Sequence, residues 1–133
     1  MSIRIYSSEA SDPVITGTVE ELILVAAATR YFLNSSDNHL SITANTTGSP
    51  KPYSSFLPSI EFDKNHGAIH VSRSPQGGLY IAGSTDNLQI WCNHFAFPLD
   101  ASYGDHHHPE QVHRPNYVTP ASISVVIEVR DDD

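Results

Sequence analysis

Four histidines and two carboxylates fall within a single short stretch, Asp105-His106-His107-His108-Pro109-Glu110 followed by His113. Imidazole nitrogen and carboxylate oxygen are the ligands that zinc and iron take. His106 and His108, two residues apart, would point to the same side of a strand. That makes His106, His108 and His113 the candidate ligands of a divalent metal. The spacing matches neither the zinc-protease helix pattern nor a Cys/His finger. It also lacks a cupin-like glutamate at the expected offset, and Pro109 in a loop-like composition leaves the ligand geometry undefined. The same residues can instead meet another protein, because a histidine joins an apolar body to a polar tip. On that reading Tyr103, Asp105, His106, His107, His108, Glu110 and His113 form a contact surface. The plainest use is a solvated polar loop.

Other chemistry has less to build on. No Gly-x-Ser-x-Gly elbow occurs, and Cys92, the lone cysteine, belongs to the apolar face of a helical pattern. Gly77-Gly78 precedes a strand and reads as a hairpin turn, not as a phosphate cradle. Thr16-Gly17-Thr18 and Ala82-Gly83-Ser84 stand where helices begin, which suits capping. Glu20 and Glu21 occupy a helix's first turn, where the macrodipole favours negative charge without any acid–base role.

Fifteen acidic residues against seven basic ones give a formal charge of −8. This argues against nucleic acid, whose affinity rests on Lys and Arg neutralising phosphates. It suits solubility, or a basic protein partner steered in by charge. The closing Asp131-Asp132-Asp133 reads as a solvated tail. No apolar segment approaches the roughly 20 residues that span a bilayer, and Met1-Ser2-Ile3-Arg4 has no secretory apolar core. A single cysteine in an apolar setting suggests a reducing compartment, so the expected location is cytoplasmic, with no membrane partner.

The elements that must position these groups are written as two copies. Ile3, Ile5, Val14-Ile15, Gly17-Thr18 and Leu22 recur 66 residues later as Ile69, Val71, Tyr80-Ile81, Gly83-Ser84 and Leu88. Ser59-Ile60-Glu61-Phe62 matches Val126-Ile127-Glu128-Val129 at a spacing of 67. Each copy reads strand, strand, helix, strand, strand. In the first, Ile3–Tyr6 alternates in polarity, Ser7–Pro13 turns and Val14–Thr16 returns. A capping box, Thr18-Val19-Glu20-Glu21, starts a helix over about Val19–Leu33. His39–Thr43 alternates again, and a Gly/Pro/Ser loop over Thr46–Pro58 leads to Ser59–Asp63. In the second copy, Ala68–Ser72 and Leu79–Ala82 flank a turn. Its helix places Leu88, Trp91, Cys92 and Phe95 on one face, like Leu22, Val25, Ala26 and Thr29, and stops at Pro98. Leu99–Asn116 is the long His-rich divergence, and Ser122–Arg130 is a closing strand.

The expected fold is therefore α+β: one domain over 1–133, made of a tandem ββαββ duplication (about 1–65 and 66–133). It would form an antiparallel sheet with two helices on one face. The units could join edge to edge or pack face to face. Arg4, Thr16, Ser41, Thr43 and Glu61 would lie on the face away from the helices.

The run Leu79-Tyr80-Ile81-Ala82-Gly83-Ser84, Leu88, His106-His107-His108, Tyr117, Ser122 and Val126-Ile127-Glu128-Val129 resembles the immunity protein 32 family of bacterial polymorphic toxin systems. The resemblance covers about half the chain, with His39-Leu40 as the first copy's echo of the His strand. It implies a cytoplasmic, non-catalytic protein that neutralises a cognate toxin; the residues themselves point to no cofactor and to contacts from the divergent loop and exposed carboxylates. Two alternatives stand beside it: a small metal-binding or metal-dependent protein using the His106–His113 cluster, and a structural homo-oligomer joined through open sheet edges.

Overall fold

Residues 3–9 and 11–130 are described by the computed structural model. The Asp131–Asp133 tail lies outside them. The chain is α+β, with nine strands in two sheets and two helices among the described residues. Sheet one has the order β4-β1-β2-β9-β8, from β1 (Arg4–Ser8), β2 (Ser11–Gly17), β4 (Ser55–Phe56), β8 (His106–His107) and β9 (Val126–Val129). Sheet two has the order β3-β5-β7-β6, from β3 (His39–Thr43), β5 (Ser59–Lys64), β6 (His70–Arg73) and β7 (Leu79–Gly83).

This corrects the single antiparallel sheet. The hairpin β1–β2 pairs with β9 and β8, while β3–β5 pairs with β7 and β6, so neither sheet is built from one ββαββ unit. The junctions are parallel, β2 beside β9 and β5 beside β7. Helix α1 (Val19–Leu33) touches β2 of sheet one, β3 of sheet two and helix α2 (Thr85–Cys92). A helix that follows one sheet and leads into the other keeps its flanking hairpins from pairing together.

The junctions also revise the spacing of the closing strands. Ile15 pairs with Ile127, and Ile81, 66 residues after Ile15, pairs with Phe62. Phe62 thus occupies the place of Ile127, a spacing of 65 rather than 67, and Asp63, not Glu61, stands where Glu128 does. Burial agrees: Ile60 and Phe62 face the core, as do Val125, Ile127 and Val129.

Both helices begin as their sequences dictate. The Thr18 hydroxyl accepts from the Glu21 N–H at 3.2 Å while the Glu21 carboxylate accepts from the Thr18 N–H at 2.8 Å. Ser84 caps α2 by accepting from the Asn87 N–H. Leu22, Val25, Ala26 and Thr29 are buried, as are Leu88, Trp91, Cys92 and Phe95. Trp91 meets Phe62 and Phe95 edge-on, at 6.3 and 5.9 Å between ring centres, tying α2 to β5. Regular α-helix ends at Cys92, and a 3-10 turn over Asn93–Phe95 finishes it ahead of Pro98. Gly78 is required by close approach, since a Cβ there would lie 2.6 Å from the Ser59 backbone oxygen.

Several element limits differ from the sequence reading. The stretch Ser7–Pro13 is largely strand, because β1 and β2 pair as far as Ser8 and Ser11. Pro13 is tolerated there because β9 pairs with β2 only from Val14 onward. The closing strand is Val126–Val129 alone, since the residues before it run along β6: the Thr119 N–H donates to the Ile69 carbonyl and the Ile123 N–H to that of Val71, each at 2.9 Å. In the same way Asn45 donates to Ile3, just ahead of β1, and Leu57 to Ile5 of β1. Thr16, expected on the solvent side, is buried.

Candidate functional site

The loop from Phe97 to His108 is tied down by its own backbone. Ala101 N–H donates to the Pro98 carbonyl at 2.9 Å, and Asp105 N–H to that of Ser102 at 3.0 Å. The Asp105 carboxylate accepts from the Ser102 N–H at 2.9 Å, closing a tight turn. Gly104 has φ +92°, a conformation that a residue with a Cβ rarely adopts. Gly104 and Asp105 then join the end of β9, donating to and accepting from Val129 at 2.8 Å each.

On this support Leu99 is 79% exposed and Tyr103 65% exposed. The same loop borders a cleft of about 410 Å³ lined by Phe97, Pro98, Gly104, Asp105, His106 and His107. The His107 ring stacks flat on Phe97 at 4.1 Å, and its Nδ1 bonds the His94 carbonyl at 2.8 Å. A carbonyl only accepts, so Nδ1 carries the hydrogen and a neutral ring keeps its lone pair on Nε2. His106 is set likewise by the Gly104 carbonyl at 3.1 Å. An aromatic wall beside the Asp105 carboxylate suits a flat or aliphatic cationic side chain such as arginine or lysine.

The seven candidates do not form one group. Asp105, His106 and His107 line the cleft, Tyr103 lies on the same loop outside that lining, and His108 meets His106 edge-on at 5.2 Å. Glu110 turns instead to the Val125 N–H at 3.3 Å. His113 borders a separate hollow with Val112, Arg114 and Pro115. Among the described residues no group of three or more His, Cys, Asp or Glu side chains could hold a metal ion, so His106, His108 and His113 do not converge on one. Tyr117, under this segment, donates to the Pro109 carbonyl at 2.6 Å, and burial pushes its hydroxyl pKa well up. Burial likewise pushes the Cys92 thiol up to about 12, which leaves it protonated and unreactive at neutral pH.

A second cluster lies on sheet two. His39 Nδ1 bonds Asp63 Oδ1 at 2.6 Å, and its Nε2 stands 3.5 Å from Glu61 Oε1. The Tyr80 hydroxyl donates to the other Asp63 oxygen, and that bond, reinforced by burial and the two carboxylate charges, raises its pKa to about 12. Sequence reasoning singled out His39 and Glu61 separately but did not join them. What joins them is the β3–β5 register, which sets His39 across from Asp63 and which only the folded chain reveals.

No family model, curated protein or solved structure matches the chain. Among the described residues no helix is long and apolar enough to cross a membrane.

Proposed function

We propose that the chain is a non-catalytic binding protein, an immunity-type inhibitor of a basic bacterial toxin, acting in the cytoplasm. The observation that carries this reading is the loop 97–108, which holds Leu99 and Tyr103 out in solvent on a braced backbone beside an acidic, aromatic-walled cleft. A rigid loop loses little conformational freedom on binding, so an exposed Leu and Tyr there are suited to anchor a partner. Asp105 in the cleft and the net charge of −8 favour a basic one. The resemblance to the immunity protein 32 family, with its cognate toxins, points the same way.

Calorimetric titration of the full chain with a basic toxin-like product of an adjacent gene tests this. Tight binding is expected, weaker as salt rises. Tyr103→Ala should weaken it by about tenfold or more without altering the circular dichroism spectrum. Absence of binding, or full affinity in a Tyr103→Ala/Asp105→Ala variant, rejects the proposal.

A further inference from the structure

The outward face of α1 carries an apolar stripe between its charged ends, where a solvated helix face is normally polar. Between Val19 and Leu33 the polar residues are Glu20, Glu21, Thr29 and Arg30, and Thr29 is buried against the core. Leu24 is 53% exposed and Tyr31 78%, with Ala27 exposed between them and Ile23 and Ala28 half-buried at the sides. A helix apolar on nearly every side is ordinarily a covered one. Glu20, Leu24, Ala27 and Tyr31 succeed one another at steps of four, three and four, the seam spacing of a two-helix coiled coil.

We infer that this stripe joins two copies of the chain, α1 against α1 in antiparallel orientation. The seam is complementary to itself in one register. With Leu24 set level with Ala27 of the second copy, Glu20 comes level with Tyr31 of that copy and beside its Arg30. The two-fold axis repeats each contact, so both ends of the seam pair a carboxylate with a guanidinium and a phenol. A parallel pair would set Glu20 against Glu20 and Arg30 against Arg30. Antiparallel packing also opposes the two helix dipoles. Ala27 supplies the room that the facing Leu24 needs. The seam spans about 16 Å, which places the contact among small interfaces and makes dimerisation depend on concentration. It does not involve the loop 97–108, so it stands or falls separately from the toxin-binding proposal.

Sedimentation equilibrium on the full chain provides the test. The average mass should rise from one chain toward two as concentration increases. Leu24→Glu should weaken association about tenfold or more, and Arg30→Glu or Glu20→Arg should each weaken it. The Glu20→Arg/Arg30→Glu double variant should restore it, a result that a merely structural effect of either change would not produce. A wild-type chain that stays a single chain at all concentrations, a dimer unmoved by Leu24→Glu, or a double variant no better than the singles would overturn the inference.

Discussion

The two sheets carry the same cross-strand row with different occupants. In sheet two the row runs His39, Asp63, Ala82, His70. In sheet one it runs His106, Glu128, Thr16, Arg4. Each begins with a histidine opposite a carboxylate, yet only His39 bonds its carboxylate, at 2.6 Å. In sheet one Glu128 turns to Arg130, 2.6 Å away, whose guanidinium lies over the Tyr6 ring at 4.9 Å. Burial opposes the charge on Arg130, but the Glu128 carboxylate and the Tyr53 and Tyr6 hydroxyls outweigh it and raise its pKa. His106 is left to bond the Gly104 carbonyl at the edge of the cleft. The carboxylate opposite His106 is thus taken by a cation two residues further along the chain, whereas the one opposite His39 is not.

The largest effects expected lie under these rows, at the parallel junctions. Phe62→Ala should cost about 3–5 kcal/mol and Ile127→Ala about 2–5 kcal/mol in urea unfolding. Both side chains are buried at matching places, so a near-neutral result for either would break the equivalence of the junctions.

Tyr80 separates the sheets by titration, because Val14 takes its place in sheet one. Its folded pKa stands above its ordinary value of 10.0, at about 12. The stability it contributes is therefore fully present below pH 10 and is lost as pH climbs from there toward 12. In an ultraviolet titration, Asp63→Ala should bring the late tyrosinate signal down toward the ordinary range. A titration unchanged by that substitution would remove Asp63 as the cause.

The smallest effect should come from Arg130→Gln, about 1 kcal/mol or less in stability, since the pair is partly open to water. Its value is as a diagnostic. Freed from Arg130, Glu128 can turn to His106, and the His106 ring resonances should move while those of His39 stay in place. If the His106 resonances stay still, Arg130 is not what parts the two rows.

Local chemistry in this chain was open to reading in one dimension. The Thr18–Glu21 capping box, the α1 limits at Val19 and Leu33, the strand His39–Thr43 and the buried faces of both helices rest on contacts within a few residues. Side-chain type and spacing are enough to specify those. The Ser122–Arg130 strand misled because an apolar run does not reveal which sheet it serves, and its first residues, Ser122 and Ile123, bond β6 instead of extending β9. The histidine stretch was visible as a concentration of residues, but its division was not. Glu110 is turned away by the Val125 backbone, and His113 is carried off by the chain beyond Pro109.

By itself, then, the sequence determined the α+β class, both helix starts, the core faces and the place where the two halves of the chain diverge, because each depends on neighbours within one turn or one strand. Only the tertiary structure decided that the hairpins pair across the halves, and that the closing strands match at 65 residues and not 67. It also decided that His39 meets Asp63 while His106 does not meet Glu128. Those outcomes depend on register between strands far apart in the chain, where a shift of two residues keeps every apolar face buried and changes every polar partner.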